Sequence, residues 1–290
     1  MLNMLKNLGI PAQSEITEAQ YNEIHEKTGF NIVEFNEIVD LQNKLNERMG
    51  LDWKSQKFDW NLAMLVEGVE LIDSVDWKWW KSSKTDWENL EIEMLDEFHF
   101  LIAKGIEDNQ IALMSNILMA KEISHKEEES GVRDEELALQ IIDIVKNKFL
   151  TSIQINNTLG AFLAWLDVWY LLGNDSQELF SKYKMKYTLN QFRQDNGYKT
   201  GEYKKVWFGE EDNVHVQKIA KTLKNDETFL DELYKQIEIL YNKVPEIKEK
   251  SLDDFIRQDE KWSKFIVLIP EDNRKLMFEF AKEFQDYLGK

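Results

Sequence analysis

Apolar residues recur at three- and four-residue spacing along most of the chain, the signature of amphipathic helices. The first such pattern runs from Thr17 to Lys27, with Thr17 and Gln20 as a capping box and Gly29 as its stop. A second helix is predicted over Ile32 to Met49, with Ile38, Leu41 and Leu45 on one stripe and Gly50 ending it. Gln42 and Asn46 lie four apart on a neighbouring face. Leu51 to Phe58 reads as a loop. Asp59 can cap the next helix, whose core stripe is Leu62, Leu65, Val66, Val69 and Ile72, and which runs into Trp77, Trp79 and Trp80. Thr85 and Glu88 form another capping box. The helix they open turns Ile92, Leu95, His99 and Ile102 toward the core.

The second half continues in the same period. Residues 108–150 read as helices, with Gly131 as a break inside a charge-dense stretch. Ile155 to Leu172 has the most buried pattern, and Ser176 to Phe192 follows it. Gly197, Gly201 and Gly209 then punctuate a basic, aromatic loop region. Helical spacing resumes at Val214, with breaks at Pro245 and Pro270. These elements predict an all-α helical bundle, divided into a helical extension at 1–33 and a main domain at 34–290.

Composition narrows the class. The chain has 290 residues and is 43% hydrophobic, with 10 Trp and 16 Phe, so a large core is available. Only 3 Pro and 12 Gly argue against a turn-rich β protein. The net charge of −18 opposes nucleic-acid polymers and anionic membranes as partners. It does not oppose a small anionic ligand, because a bound cation can invert the sign of a pocket. With no Cys, disulfides and thiolate metal sites are excluded, which fits the cytoplasm. Met1 to Pro11 lacks a basic-then-apolar signal pattern. The apolar run Leu159 to Gly173 is interrupted by Asp167 and is shorter than the roughly 20 residues of a membrane span.

Against that background four carboxylates stand out. Glu67 and Glu70 are three apart on one predicted helix, and Glu93 and Asp96 are three apart on the next. Residues at that spacing share a helix face. Two such helices side by side aim four hard oxygen ligands at one point, where mutual repulsion favours a divalent metal, magnesium above all. A single E-x-x-E is more often a solvated face. Here the carboxylates border the apolar stripe, flanked by Ile92, Leu95 and Phe98. Downstream, Lys186, Asn190 and Arg193 align at i, i+4 and i+7, followed by Tyr198, Lys199, Tyr203, Lys205 and Asn213. Such a face can hold phosphate oxygens, and a basic surface patch explains it equally well. There is no phosphate-binding P-loop, no dinucleotide fingerprint and no G-x-S-x-G elbow. His25, His99, His125 and His215 show no zinc spacing, so His99 reads as a packed or supporting residue. The tryptophans read first as core or interface.

Three blocks resemble the dimeric all-α dUTPases of the nucleotide pyrophosphohydrolase superfamily: E-G-V-E-L-I-D-S-V-D-W-K-W-W-K, N-L-E-I-E-M-L-D-E-F-H-F and L-N-Q-F-R-Q-D-N-G-Y-K-T-G-E-Y-K-K-V-W. The resemblance spans roughly residues 34–215. It implies a homodimer with a composite active site and hydrolysis of dUTP, and also dUDP, to dUMP, which limits uracil in DNA. It implies Glu67, Glu70, Glu93 and Asp96 as magnesium ligands; one of the four would handle the attacking water, with Glu67 the first choice. It places Lys186, Asn190, Arg193, Lys199, Lys205 and Asn213 at the phosphates and sugar, Gln42 and Asn46 at the uracil or deoxyribose, and Trp77, Lys78 and Trp80 near the nucleotide. Two other readings stay open: a related enzyme acting on dCTP or other non-standard nucleotides, and a non-catalytic helical nucleotide-binding protein.

Overall fold

The computed structural model describes residues 25–26, 29–125 and 132–244. Ten α-helices occupy most of them: α1 (Ile32–Glu47), α2 (Trp60–Asp73), α3 (Trp87–Glu107), α4 (Ile111–His125), α5 (Glu135–Ile144), α6 (Leu150–Gln154), α7 (Thr158–Leu171), α8 (Ser176–Asp195), α9 (Asp212–Ala220) and α10 (Phe229–Tyr241). A two-residue-long hairpin, β1 (Val206–Trp207) with β2 (Glu210–Glu211), is the one departure from an all-α chain among the described residues. The Thr17–Gln20 capping box, Gly131, Pro245 and Pro270 lie outside the described residues. The chain divides into two compact units at Tyr241, and only residues 242–244 of the second are described.

Short acceptor side chains start the helices. Asn31, Asp59, Asp86, Asp134, Asn157 and Asp175 each accept a backbone N–H from the first turn of their helix. That satisfies one of the donors a helix start leaves free. Asp59 caps α2 as expected. Thr85 does not cap α3: Asp86 takes that place, and the Thr85 hydroxyl instead accepts the Asp76 N–H. The predicted Ile155–Leu172 helix begins later, at Thr158, because Asn156 turns left-handed (φ 55°) and Asn157 caps a fresh start.

The core centres on α3 and α7. Phe98 lies 4.7 Å from Trp165 and 5.7 Å from Tyr183 between ring centroids, and Trp165 stacks on Trp169 at 5.3 Å. The buried Trp165 indole donates to the Met94 carbonyl (2.9 Å), so its polar edge is satisfied. α2 packs along α3, while α1 and α10 flank α8. A π-helical turn, Val145–Phe149, joins α5 to α6 and carries the buried Phe149.

The core face of α2 is not the predicted stripe. Trp60, Met64, Gly68 and Leu71 are buried, whereas Leu62, Val66 and Val69 are 57%, 45% and 53% exposed. Both stripes are apolar, so periodicity cannot choose between them. Gly68 decides: a Cβ there would lie 3.0 Å from Glu97 Oε1 and 2.9 Å from Leu150. The absence of a side chain lets α2 approach α3 and α6 closely. Beyond α2 the chain leaves the helix, so Trp77, Trp79 and Trp80 sit in a turn and not on a helix extension. They are exposed by 39%, 89% and 58% and contact one another edge to face. Among the described residues no helix is long and apolar enough to cross a membrane.

Candidate active site

A cleft of about 480 Å³ opens between α1, α2, α3 and α8, closed on one side by the loop and hairpin before α9. Its lining includes Gln42, Asn46, Glu67, Glu70, Glu93, Asp96, Lys186, Asn190, Arg193, Lys205 and Asn213. Helix spacing alone aligned these residues within each element. Packing of α2 on α3 and of α8 across them brings the sets together.

Carboxylate oxygens of Glu67, Glu93 and Asp96 all lie within 4.8 Å of one another. Glu70 lines the same cleft but is exposed and stands outside this trio. Burial, together with the charges of Asp96, Glu70 and Glu93, pushes the Glu67 carboxyl up to about 8. Burial and Asp96 push Glu93 up to about 7, against the pull of Lys186. Asn89 donates to Glu93 Oε1 (3.1 Å) and to the Ser74 hydroxyl (2.8 Å), which fixes the Glu93 carboxyl in orientation. Crowded, partly desolvated carboxylates repel unless a cation joins them. Hard oxygen donors at this separation suit magnesium.

The opposite wall is cationic. Lys186 is 2% exposed, and its ammonium bridges Asp96 Oδ2 (2.9 Å) and Asn213 Oδ1 (3.0 Å). Arg193 is held by Asp212 in a two-pronged contact, and its third nitrogen, Nη1, donates to Asn190 Oδ1 (3.3 Å). Burial opposes the guanidinium charge, but the Asp212 carboxylate outweighs it and raises the Arg193 pKa further. Lys205 is exposed and pairs with Glu211 at 3.5 Å.

At the end nearest α1 a buried polar network appears. Gln42 Oε1 receives the Tyr183 hydroxyl (2.8 Å) and faces His99 Nδ1 (2.7 Å), while Gln42 Nε2 donates to Asn46 Oδ1 (2.7 Å). An amide oxygen only accepts, so the network assigns the imidazole proton to Nδ1. Burial depresses the His99 pKa to about 4, which keeps the ring neutral. Two buried atoms of this network have no partner: Asn46 Nδ2, a donor, and His99 Nε2, an acceptor. Both residues line the cleft.

Some expected residues lie elsewhere. Trp77, Lys78, Trp80 and Lys199 are not in the cleft lining, and Lys78 pairs with Asp73. Three buried residues escaped the sequence reading: Asp212, Tyr183 and Glu97. Glu97 follows Asp96 directly, is 1% exposed, and its Oε1 has no partner. Burial, then the charges of Glu67, Glu93 and Asp96, raise its pKa well above the ordinary range. Its adjacency to the E-x-x-D pair gave a signal, but an acidic residue there reads as solvated until Gly68 is seen to admit it. A second cavity, of about 510 Å³, lies around Glu91, Arg133 and Lys182. There Glu91 is paired with both cations, which outweigh its burial and keep its pKa low.

No curated protein matches the chain. A family model described as dUTPase matches residues 34–198, more than half of the chain's length, and takes in nearly all of α1 to α8 with all four carboxylates, Gln42, Asn46, Asn190, Lys186 and Arg193. With an all-α architecture and the acidic and basic walls in place, the chain belongs to the dUTPase family, whose activity is the hydrolysis of dUTP and dUDP at the phosphate chain.

Proposed function

We propose that the cleft binds dUTP with its phosphates between the carboxylates of α2 and α3 and the cations of α8, and hydrolyses it to dUMP and diphosphate. dUDP, shorter by one phosphate, gives dUMP and phosphate at the same site. What supports this most is the juxtaposition of three carboxylates, within 4.8 Å of one another, with Lys186 and Arg193 in one cleft. Neither wall alone accepts a triphosphate: the acidic wall repels it, and the basic wall cannot activate water.

Glu67, Glu93 and Asp96 would hold magnesium, with Glu70 beside them; when bound, the ion offsets phosphate charge and makes water a better nucleophile. Glu67, one of the three clustered carboxylates, is our choice to accept a proton from the attacking water. Lys186 and Arg193 would stabilise charge gathering on the leaving phosphates. Asn190, Asn213 and Lys205 would orient the chain and sugar.

The buried network supports a pyrimidine subsite. Gln42 is spent on its neighbours and serves to orient, so Asn46 and His99 would make the contacts. Asn46 Nδ2 offers a donor and His99 Nε2 an acceptor, complementary to a uracil carbonyl and its N3–H. Cytosine placed in the same register would set its N3 lone pair against that of His99, which stays neutral at physiological pH.

The exposed Leu62, Val66 and Val69 lie along one side of the helix that carries Glu67 and Glu70. Each contributes roughly 1.5–3 kcal/mol when fully buried. A second copy covering this stripe would sit beside the carboxylates and bring Trp77, Lys78 and Trp80 toward a shared site. This is our basis for a homodimer with a composite active site. We take residues 34–241 as the catalytic domain and the cytoplasm as its compartment, given the absence of Cys.

The direct test is hydrolysis of dUTP, dUDP, dCTP, dTTP and UTP with and without magnesium, beside an Asp96→Asn variant. We expect magnesium-dependent turnover of dUTP and dUDP far above dCTP. Asp96→Asn should lose at least roughly 100-fold, since even outer partners of metal sites cost about 10–100-fold. Full activity in Asp96→Asn sinks the assignment of the acidic cluster.

A further inference from the structure

Asp212 is the most completely engaged carboxylate beside the cleft. It is 0% exposed and opens α9, beyond the end of the family match at residue 198. Its Oδ2 accepts from Arg193 Nε (2.8 Å) and from the Tyr203 hydroxyl (2.8 Å). Its Oδ1 accepts from Arg193 Nη2 (2.8 Å) and from the Asn213 backbone N–H (2.8 Å). A carboxylate has about four acceptor sites, so nothing remains for a ligand. It is also absent from the residues that line the cleft, although Arg193 and Asn213 are both among them.

We propose that Asp212 is a positioning residue that fixes the phosphate side of the active site by acting through Arg193. The two-pronged contact leaves the guanidinium no rotational freedom about its own plane. It occupies Nε and Nη2 and directs Nη1 toward Asn190 in the cleft. The same carboxylate ties the first turn of α9, where Asn213 receives the Lys186 ammonium, and Lys186 in turn meets Asp96. One buried side chain therefore registers a cation that faces phosphate against the acidic wall. Tyr203 holds Asp212 from the far side. Its ring stacks on Tyr241 of α10 at 5.2 Å, which anchors the arrangement in the C-terminal helix of this unit. The segment between residues 203 and 213 is thus a working part of the site.

The alternative is an ion pair that only stabilises the fold, and kinetics in two backgrounds separate them. This inference rests on the reading that Arg193 faces the phosphate chain. Arg193→Gln tests that reading by itself: if turnover is unchanged, the phosphate assignment fails. If Arg193→Gln loses activity, Asp212→Asn decides the present point. We expect Asp212→Asn to lower kcat/KM for dUTP at least 30-fold with the dUTP to dCTP ratio unchanged, because the base end of the cleft does not touch Asp212. In the Arg193→Gln background the same change should cost less than twofold. Tyr203→Phe removes a single bond to Asp212 and serves if Asp212→Asn does not fold. It should lower kcat/KM three- to tenfold in the natural chain and leave the Arg193→Gln variant unchanged. Losses that multiply in the double variants, or no loss from Asp212→Asn or Tyr203→Phe, overturn the proposal.

Discussion

At the scale of single residues, burial decides which polar groups work and which support. His99 shows this most clearly. Its proton is assigned by Gln42, its ring lies 4.4 Å from Tyr183, and its second nitrogen is left as a lone acceptor. His99→Ala removes the acceptor and frees Gln42. A lost buried hydrogen bond costs ~1–3 kcal/mol, so dUTP should bind roughly 10- to 100-fold more weakly and the preference over dCTP should narrow. A competition assay between the two nucleotides measures both. Glu97 behaves differently, because burial holds its proton on. A carboxyl with a raised folded-state pKa binds more protons when folded, so its stability contribution falls as pH rises above the unfolded value of 4.5. Glu97→Gln removes that loss. Without metal, the variant should out-melt the natural chain at pH 8, and the two should converge near pH 4. Equal melting at both pH values would count against a buried, protonated Glu97. The packed, supporting role of His99 was legible in the sequence, but its lone acceptor and the burial of Glu97 were not. His99 showed no motif spacing, and Glu97 looked like one more charge on an acidic helix.

At the scale of elements, periodicity identified the helices and misassigned the faces where two stripes were apolar. The stripes on α1 and α3 hold because each has a polar alternative face: Ile38, Leu41 and Leu45 are buried, as are Leu95, His99 and Ile102. On α2 no such contrast exists, and a glycine chose the buried row. Leu62, Val66 and Val69 are left exposed, and the dimer proposed above would cover them. Val66→Asp should convert a dimer to a monomer in sedimentation and reduce turnover with it. A monomer in the natural chain, or a dimer unaffected by Val66→Asp, would remove α2 from the interface. The caps were partly legible. Asp59 was read correctly, whereas Thr85 and Asp86 are adjacent candidates that sequence cannot rank. Asp59→Ala should destabilise by about 1 kcal/mol, seen as a lower Tm, because α2 then begins with an uncompensated N–H.

At the scale of the whole molecule, the magnesium site proposed above would couple stability to magnesium and pH. Glu67 and Glu93, raised to about 8 and about 7, bind protons in the folded metal-free state that the unfolded chain releases above 4.5. Metal-free stability should therefore decline as pH climbs from about 5 to about 8. Magnesium must displace those protons, so its stabilisation should grow over the same range. At 100-fold excess over Kd it contributes ~2.7 kcal/mol, or several degrees at about 2–4 °C per kcal/mol. Melting at pH 6 and pH 8.5, with magnesium and with chelator, should show the larger gain at pH 8.5. Order along the chain adds a consequence. Gln42 comes from the first described helix, Asp96 from the third, and Lys186 and Asp212 from 90 and 116 residues after Asp96. During synthesis the carboxylates leave the ribosome long before their countercharges do. Until α8 is made, a nascent chain carries the acidic cluster without the cationic wall of the cleft, so a premature stop before α8 should leave no dUTP hydrolysis, which an assay of the truncated chain measures.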